Sequence, residues 1–186
     1  MRIVCNAGHY PGLDSGAVGQ TGLQEAIVAA DIAQKVCKYL TVVGYEVLFV
    51  QENELYQITN ASNRFGADLF VSIHCNAAGN ESAQGAETWF NNGSVKGREL
   101  ATCIQDQIVN SIKYPNGENI VDRGIKKATP GINGLYVLSN TNCPAVLVET
   151  AFISNADDEQ LLADDIKRNQ FAAAISRGVT DYVGGM

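Results

Sequence analysis

The chain has 186 residues, 46% of them apolar and 18% charged, enough to bury roughly two-thirds of its unfolded surface around one core without staples, and no apolar run is long enough to cross a bilayer. A formal charge of -7 with only thirteen lysines and arginines and a pI near 4.7 exclude nucleic acid and anionic membrane as partners, because phosphate recognition needs a concentrated basic face. A cleaved export signal is not expected either, since Met1-Arg2 leads straight into an apolar strand with no basic segment before it.

The opening stretch, Ile3 to Gly16, reads IVCNAGHYPGLDSG. Residues 2–7 are a short apolar run that predicts a buried strand, and the glycine-punctuated loop after it carries His9. Thr21 with Gln24 three residues on forms a capping box that opens a helix to about Leu40, and Gly44 ends it. Val47 to Val50 predicts the second strand, Asn53 caps a helix over 54–65, and Leu69 to Ile73 is the third strand. Two βαβ units follow.

Beyond His74 the stretch CNAAGNESAQG reads as loop and Ala86 to Phe90 as a fourth strand. Ser94 caps a helix whose Leu100, Ile104, Ile108 and Ile112 recur every four residues and form a core stripe. Residues 113–133 hold Pro115, Gly117, Gly124, Pro130 and Gly131 and predict a long loop, of the kind that lines functional sites. Leu135 to Leu138 and Ala145 to Ile153 predict two further strands, and Ser154 with Asp157 a second capping box before helices over 155–163 and 165–183. The sum is an α/β fold: one three-layer domain over residues 1–183, with a mostly parallel central sheet of about six strands flanked by helices. Gly184-Gly185-Met186 reads as a tail or the start of a linker. The five cysteines are widely spaced with no CxxC pair and read as small buried hydrophobes.

In open α/β sheets ligands bind beyond the carboxyl ends of the strands. Both histidines of the chain fall there, His9 after the first strand and His74 at the end of the third. A single histidine in such a place is usually a hydrogen-bonded loop residue, but here both share the location. Glu25 lies in the first turn of the first helix, on the face of Ala29, Ile32, Val36 and Leu40, so a carboxylate is aimed inward. An unpaired buried carboxylate costs several kcal/mol or more, whereas a helix N-terminus returns only about 0.3–1 kcal/mol. Its partner is therefore either a salt bridge or a cation shared with the histidines. Two histidines and one glutamate are the ligand type of hydrolytic zinc with an open fourth position.

Glu149 stands in the strand AVLVETAFI, where a charge among buried apolar residues must be paired or functional. Beside a metal site it could serve as general base and then return the proton to a leaving nitrogen. Asp14, in GLDSG, either forms the turn or orients a ligand histidine from behind.

Four stretches together carry a resemblance: GHYPGLDSGA at 8–17, Glu25 after it, FVSIHCNA at 70–77 and LYVLSNTNCPAVLVETAFISN at 135–155. Over nearly its whole length the chain resembles the zinc-dependent N-acetylmuramoyl-L-alanine amidases of the type 3 family, the catalytic domains of endolysins and autolysins. The resemblance implies cleavage of the amide between the lactyl group of N-acetylmuramic acid and L-alanine in peptidoglycan. It implies one zinc ion held by His9, Glu25 and His74, and Glu149 as the catalytic glutamate. Asn76 in FVSIHCNA is a candidate substrate contact. Arg123 in DRGIK at 122–126 either grips a stem-peptide carboxylate with its planar fork or makes a surface ion pair. Where the family loop often reads Gly-Gly after the histidine, this chain has Tyr10-Pro11, which enlarges and stiffens the rim.

Other classes stay open at this stage. A cysteine hydrolase using Cys75 lacks an independent base, because His74 and Cys75 point to opposite faces of one strand. A wall-binding module without activity has no need of a glutamate inside an apolar strand. A zinc peptidase cutting within the stem peptide differs only in its products. The expected context is a monomeric catalytic domain with peptidoglycan as its partner, acting on the bacterial cell wall as a phage-type endolysin or as part of a larger wall enzyme with a separate binding module.

Overall fold

The computed structural model describes residues 1–185. Its strands are β1 (Arg2–Ala7), β2 (Glu46–Val50), β3 (Leu69–Asn76), β4 (Ala86–Asn91), β5 (Asp122–Ala128) and β6 (Ala145–Phe152). Its helices are α1 (Glu25–Val43), α2 (Leu55–Phe65), α3 (Val95–Ser111), α4 (Tyr136–Ser139), α5 (Ala156–Ala163) and α6 (Asp165–Gly184). The strands form one sheet in the order β2-β1-β3-β6-β4-β5, parallel throughout except where β4 runs antiparallel to β6. β1, β3 and β6 have near-continuous buried runs and lie inside the sheet, whereas β2 and β5 form its edges.

Alternate side chains of the strands feed two cores. On one face Ile3, Cys5, Val71, Ile73, Val146 and Val148 pack with the apolar sides of α1, α3 and α6. On the other Val4, Phe70, Ala145 and Leu147 pack with Ile58 of α2 and with Val137 and Leu138 of α4. The expected three-layer α/β domain with a mostly parallel six-stranded sheet is therefore the architecture found. Chain order places β2 on one side of β1 and β3 on the other. The carboxyl ends of β1 and β3 thus flank the point where the winding reverses, which opens a crevice there.

Two elements differ from expectation. Within 113–133, DRGIKKA is not loop but the edge strand β5, paired with β4 alone. An edge strand has a free side that tolerates charge, and Gly124 at φ 73° absorbs a bulge where the register shifts. Residues 135–138 are not a strand: Tyr136–Ser139 form the short helix α4, with Val137 and Leu138 buried. Four apolar residues carry too little periodicity to separate the two. The sheet still has six strands, because one segment replaces the other.

Three caps also differ. α1 begins after Gln24 with no side-chain cap; the Thr21 hydroxyl instead donates to Glu159 at 2.6 Å, a buried carboxylate whose demand for donors outweighs a local cap. α2 begins after Glu54, and Asn53 donates to that side chain instead of capping the helix. α5 is capped by Asn155, which accepts from the N–H groups of Asp157 and Asp158, while Ser154 accepts from the Ala78 N–H at 3.1 Å. Ser94 caps α3 as expected, accepting from Gly97 N–H at 3.0 Å. At the C-terminus Gly184 ends α6, and the Gly185 N–H bonds to the Asp181 carbonyl at 3.1 Å, so both belong to the helix end; the remaining tail residue, Met186, lies outside the described residues.

Helices α6 and α3 meet closely at Gly178, where an added Cβ would lie 2.5 Å from Ile104 Cα on α3. Gly178→Ala must push the two helices apart, at about 1–3 kcal/mol. Urea denaturation should show a lower midpoint with an unchanged slope, and thermal melting a Tm lower by about 2–4 °C per kcal/mol.

Candidate active site

β1 ends at Ala7, and Gly8 continues its pairing with β3 through an N–H bond to the Ile73 carbonyl at 2.9 Å. His9 then adopts φ 61°, the left-handed region, alone among the described non-glycine residues. Such a conformation costs about 1–3 kcal/mol and persists where its surroundings over-determine it. Here Tyr10 and Asp14 exchange two backbone hydrogen bonds, at 2.9 and 2.8 Å. The His9 ring is also anchored, its Nδ1–H donating to Asp14 Oδ2 at 2.7 Å. A carboxylate can only accept, so Nδ1 carries a proton, and Nε2 is the ring nitrogen that faces inward.

Inward lies Glu25, 4% exposed. Its Oε1 accepts from His74 Nδ1 and from the Cys75 N–H, both at 3.0 Å. Its Oε2 accepts from the Ala17 N–H at 3.0 Å and faces His9 Nε2 at 3.2 Å. The two imidazoles meet edge to face, with centroids 5.3 Å apart. One donor atom from each of His9, Glu25 and His74 lies within 4.8 Å of the others. The Glu25 hydrogen bond, together with that of Asp14, raises His9 to about 9. Burial alone would raise Glu25, but hydrogen bonds from His74 and His9 outweigh it and hold the carboxyl well below the usual range.

Glu149 stands in register beside His74, on the adjacent strand β6. Its Oε2 is buried with no hydrogen-bond partner. Desolvation, reinforced by Glu25 and Glu87 and opposed by His74, pushes the carboxyl up to about 7. A cleft of about 170 Å³ opens at His9 and His74 and runs between α2 and α4, past Asn53, Leu55 and Tyr136.

The other expected residues lie at the edge of this cluster. Asp14 is bonded on both sides: Oδ1 accepts from Gly16 N–H at 3.0 Å and closes the turn, while Oδ2 accepts from His9 Nδ1 at 2.7 Å. Asn76 is turned aside, its Nδ2 donating to Glu87 at 3.1 Å and its Oδ1 accepting from Ala77 N–H. Arg123 forms an ion pair, but with a buried partner: its Nε donates to Glu87 Oε2 at 2.8 Å, and its guanidinium lies 4.7 Å from the Phe152 ring centroid. Glu87 itself was not foreseen. It is 4% exposed, opposite Glu149 in the β4–β6 pair. The signal was present in AETWF, since a carboxylate inside an apolar strand had singled out Glu149 for the same reason.

Three observations fit this cluster to a metal ion. The donor set is two imidazoles and a carboxylate, the unpartnered Glu149 oxygen lies beside it, and two glycines leave it room. A Cβ on Gly8 would lie 2.2 Å from the His74 ring, and one on Gly16 2.6 Å from both Glu25 Oε2 and the His9 ring. Fold and site together define a class, an open-sheet α/β protein with a donor cluster at the switch point that could hold a metal ion.

The chain matches the N-acetylmuramoyl-L-alanine amidase family over residues 3–181 and belongs to it. It is 34% identical to the N-acetylmuramoyl-L-alanine amidase LytC of Bacillus subtilis strain 168, across 91% of this chain and 33% of LytC, so it spans about a third of that relative. It is 35% identical to the endolysin of Bacillus phage SPP1, across 96% of this chain and 64% of the endolysin. The structure of the amidase AmiC2 of Nostoc punctiforme superposes with a TM-score of 0.88 at 31% identity, covering 99% of this chain and 97% of that one. Fold and family agree on an enzyme of bacterial cell-wall hydrolysis.

If His9, Glu25 and His74 hold a metal, its affinity should depend on the cradle as well as on those three donors. Asp14→Ala frees the His9 ring and should weaken zinc binding about 10–100-fold, read by competition with a chromophoric chelator. Gly8→Ala, which displaces the His74 ring, should abolish tight binding while far-UV circular dichroism stays unchanged.

Proposed function

We propose that this chain hydrolyses the amide joining the lactyl group of N-acetylmuramic acid to L-alanine in peptidoglycan, using one zinc ion held by His9, Glu25 and His74. The observation that carries the reading is the convergence of those three side chains beside the unpartnered buried oxygen of Glu149. Zinc bound there supplies Lewis-acid polarisation of the scissile carbonyl and makes water a stronger acid. Glu149 Oε2, with no other donor to satisfy it, takes a proton from the attacking water and delivers it to the alanine nitrogen as the amide breaks. Asp14 keeps His9 in the tautomer that offers Nε2. Buried Glu25 ties α1 to both histidine-bearing segments, so the donors are held before substrate arrives.

On the substrate side, Arg123 would hold a stem-peptide carboxylate through the guanidinium nitrogens that Glu87 leaves free, with Asn76 lining the approach. The domain would act as a monomer on the cell wall. Among the described residues no helix is long and apolar enough to cross a membrane.

The test is mass analysis of fragments released from purified peptidoglycan, with chelator and with zinc restored. The expected products are stem peptides with a free N-terminal L-alanine and intact glycan strands, formed only with metal. Fragments cut between stem residues would make the enzyme a zinc peptidase instead, and chelator-resistant release would overturn the metal mechanism. Glu149→Ala should retain zinc and lose about 10²–10⁴-fold in kcat, whereas His74→Ala should lose both zinc and activity; metal content measured beside turnover separates them.

A further inference from the structure

On the face of the sheet that carries Glu149, α2 packs over β1 and β2, and α4 over β6 and the near side of β4. The far side of β4 and the edge strand β5 form a shelf beyond them. Its residues follow from the register. Glu149 stands opposite Glu87, with Arg123 bonded to Glu87. In the next row Leu147 stands opposite Trp89, and Trp89 opposite Lys126. Trp89, the single tryptophan of the chain, is only partly buried. Lys126 has no carboxylate partner among the described residues. In a chain of net charge -7, three of the thirteen basic residues, Arg123, Lys126 and Lys127, sit in this one strand.

Glu87 organises the shelf. One oxygen accepts from Trp89 Nε1 at 3.0 Å and Asn76 Nδ2 at 3.1 Å, the other from Arg123 Nε at 2.8 Å. A buried ion pair adds little net stability over an apolar replacement, whereas this one fixes the planes of an indole and a guanidinium. Arg123 is bound through Nε and leaves its two terminal nitrogens with a single long contact, 3.5 Å from Nη1 to the Gln84 carbonyl. Its side chain is 35% exposed, and a fork in that state suits a bidentate carboxylate.

We propose that this shelf is the subsite for a carboxylate of the stem peptide, with Arg123 and Lys126 as its cations and Glu87 as the positioning residue that aims Arg123 and Trp89. This rests on the amidase reading of the site and adds a direction to it: the peptide leaves the scissile amide across β4 and β5. Adjacent strands are about 4.8 Å apart, so Arg123, two strands from Glu149, lies roughly 10 Å from the base, the reach of about three extended residues. The recognised carboxylate is therefore two to three residues beyond the cleaved bond.

Trp89 supplies the readout. A synthetic stem tripeptide and its fully carboxamidated counterpart are titrated into zinc-loaded protein and followed by tryptophan emission. The free-carboxylate peptide should bind at least tenfold more tightly. Arg123→Gln and Lys126→Gln should each lower its affinity toward that of the amide and leave amide binding unchanged. In turnover of muramoyl peptides, Glu87→Gln should raise KM about tenfold for the free-carboxylate substrate and far less for the amidated one. A purely structural role would shift both substrates equally. Equal binding of the two peptides by the unsubstituted protein, or equal losses for both in the variants, overturns the subsite. Because the titration needs no hydrolysis, it can fail while the amidase reaction stands, and it can succeed even if fragment analysis places the cut elsewhere.

Discussion

A single carboxylate, Glu25, joins the parts on which the site depends. It begins α1, yet its two oxygens bind the loop after β1 through Ala17 and His9, and β3 through His74 and Cys75. Burying an anion costs several kcal/mol if it is left unpaired, so the fold is stable only when those donors converge on it. Convergence brings the two imidazoles edge to face at the reversal of winding between β1 and β3. The same demand for charge compensation that shapes the loop gathers three donors that could hold a cation.

Three glutamates near the carboxyl end of the sheet illustrate how environment divides one chemistry into several. Glu25 is surrounded by donors and stays ionised. Glu149, one strand from His74, has a buried oxygen with no donor and is pushed up to about 7 by desolvation. Glu87, one strand further, is satisfied by an arginine, an indole and an amide. A pinned anion, a desolvated carboxyl and an ion-pair partner are the same side chain with different surroundings. Their strand spacing lays these environments out in a line across the sheet.

Much of this was legible beforehand. His9, Glu25, His74 and Glu149 could be singled out because each breaks a local pattern: histidines at strand ends, a carboxylate on an inward helix stripe, a charge within an apolar strand. Those patterns are consequences of period and burial, which one-dimensional spacing preserves. β5 was not legible, because DRGIKKA lacks the alternation of a half-buried strand and an edge position does not require it. The caps misled for a related reason: Thr21 and Ser154 have the chemistry of N-caps, but Glu159 and Ala78 compete for them from 138 and 76 residues away.

By itself the sequence determined the α/β class, the parallel core, the inward glutamate, both histidines and the candidate base, because hydrophobic period and the cost of buried charge act on every residue locally. Only the tertiary structure decided that the histidines meet on one carboxylate, that His9 is held by Asp14 in a left-handed conformation, and that Arg123 is aimed by Glu87 and not left as a surface charge. Each of those depends on which strands become neighbours. Strand order is set by chain topology and the burial of whole faces, a property that no single stretch of residues contains.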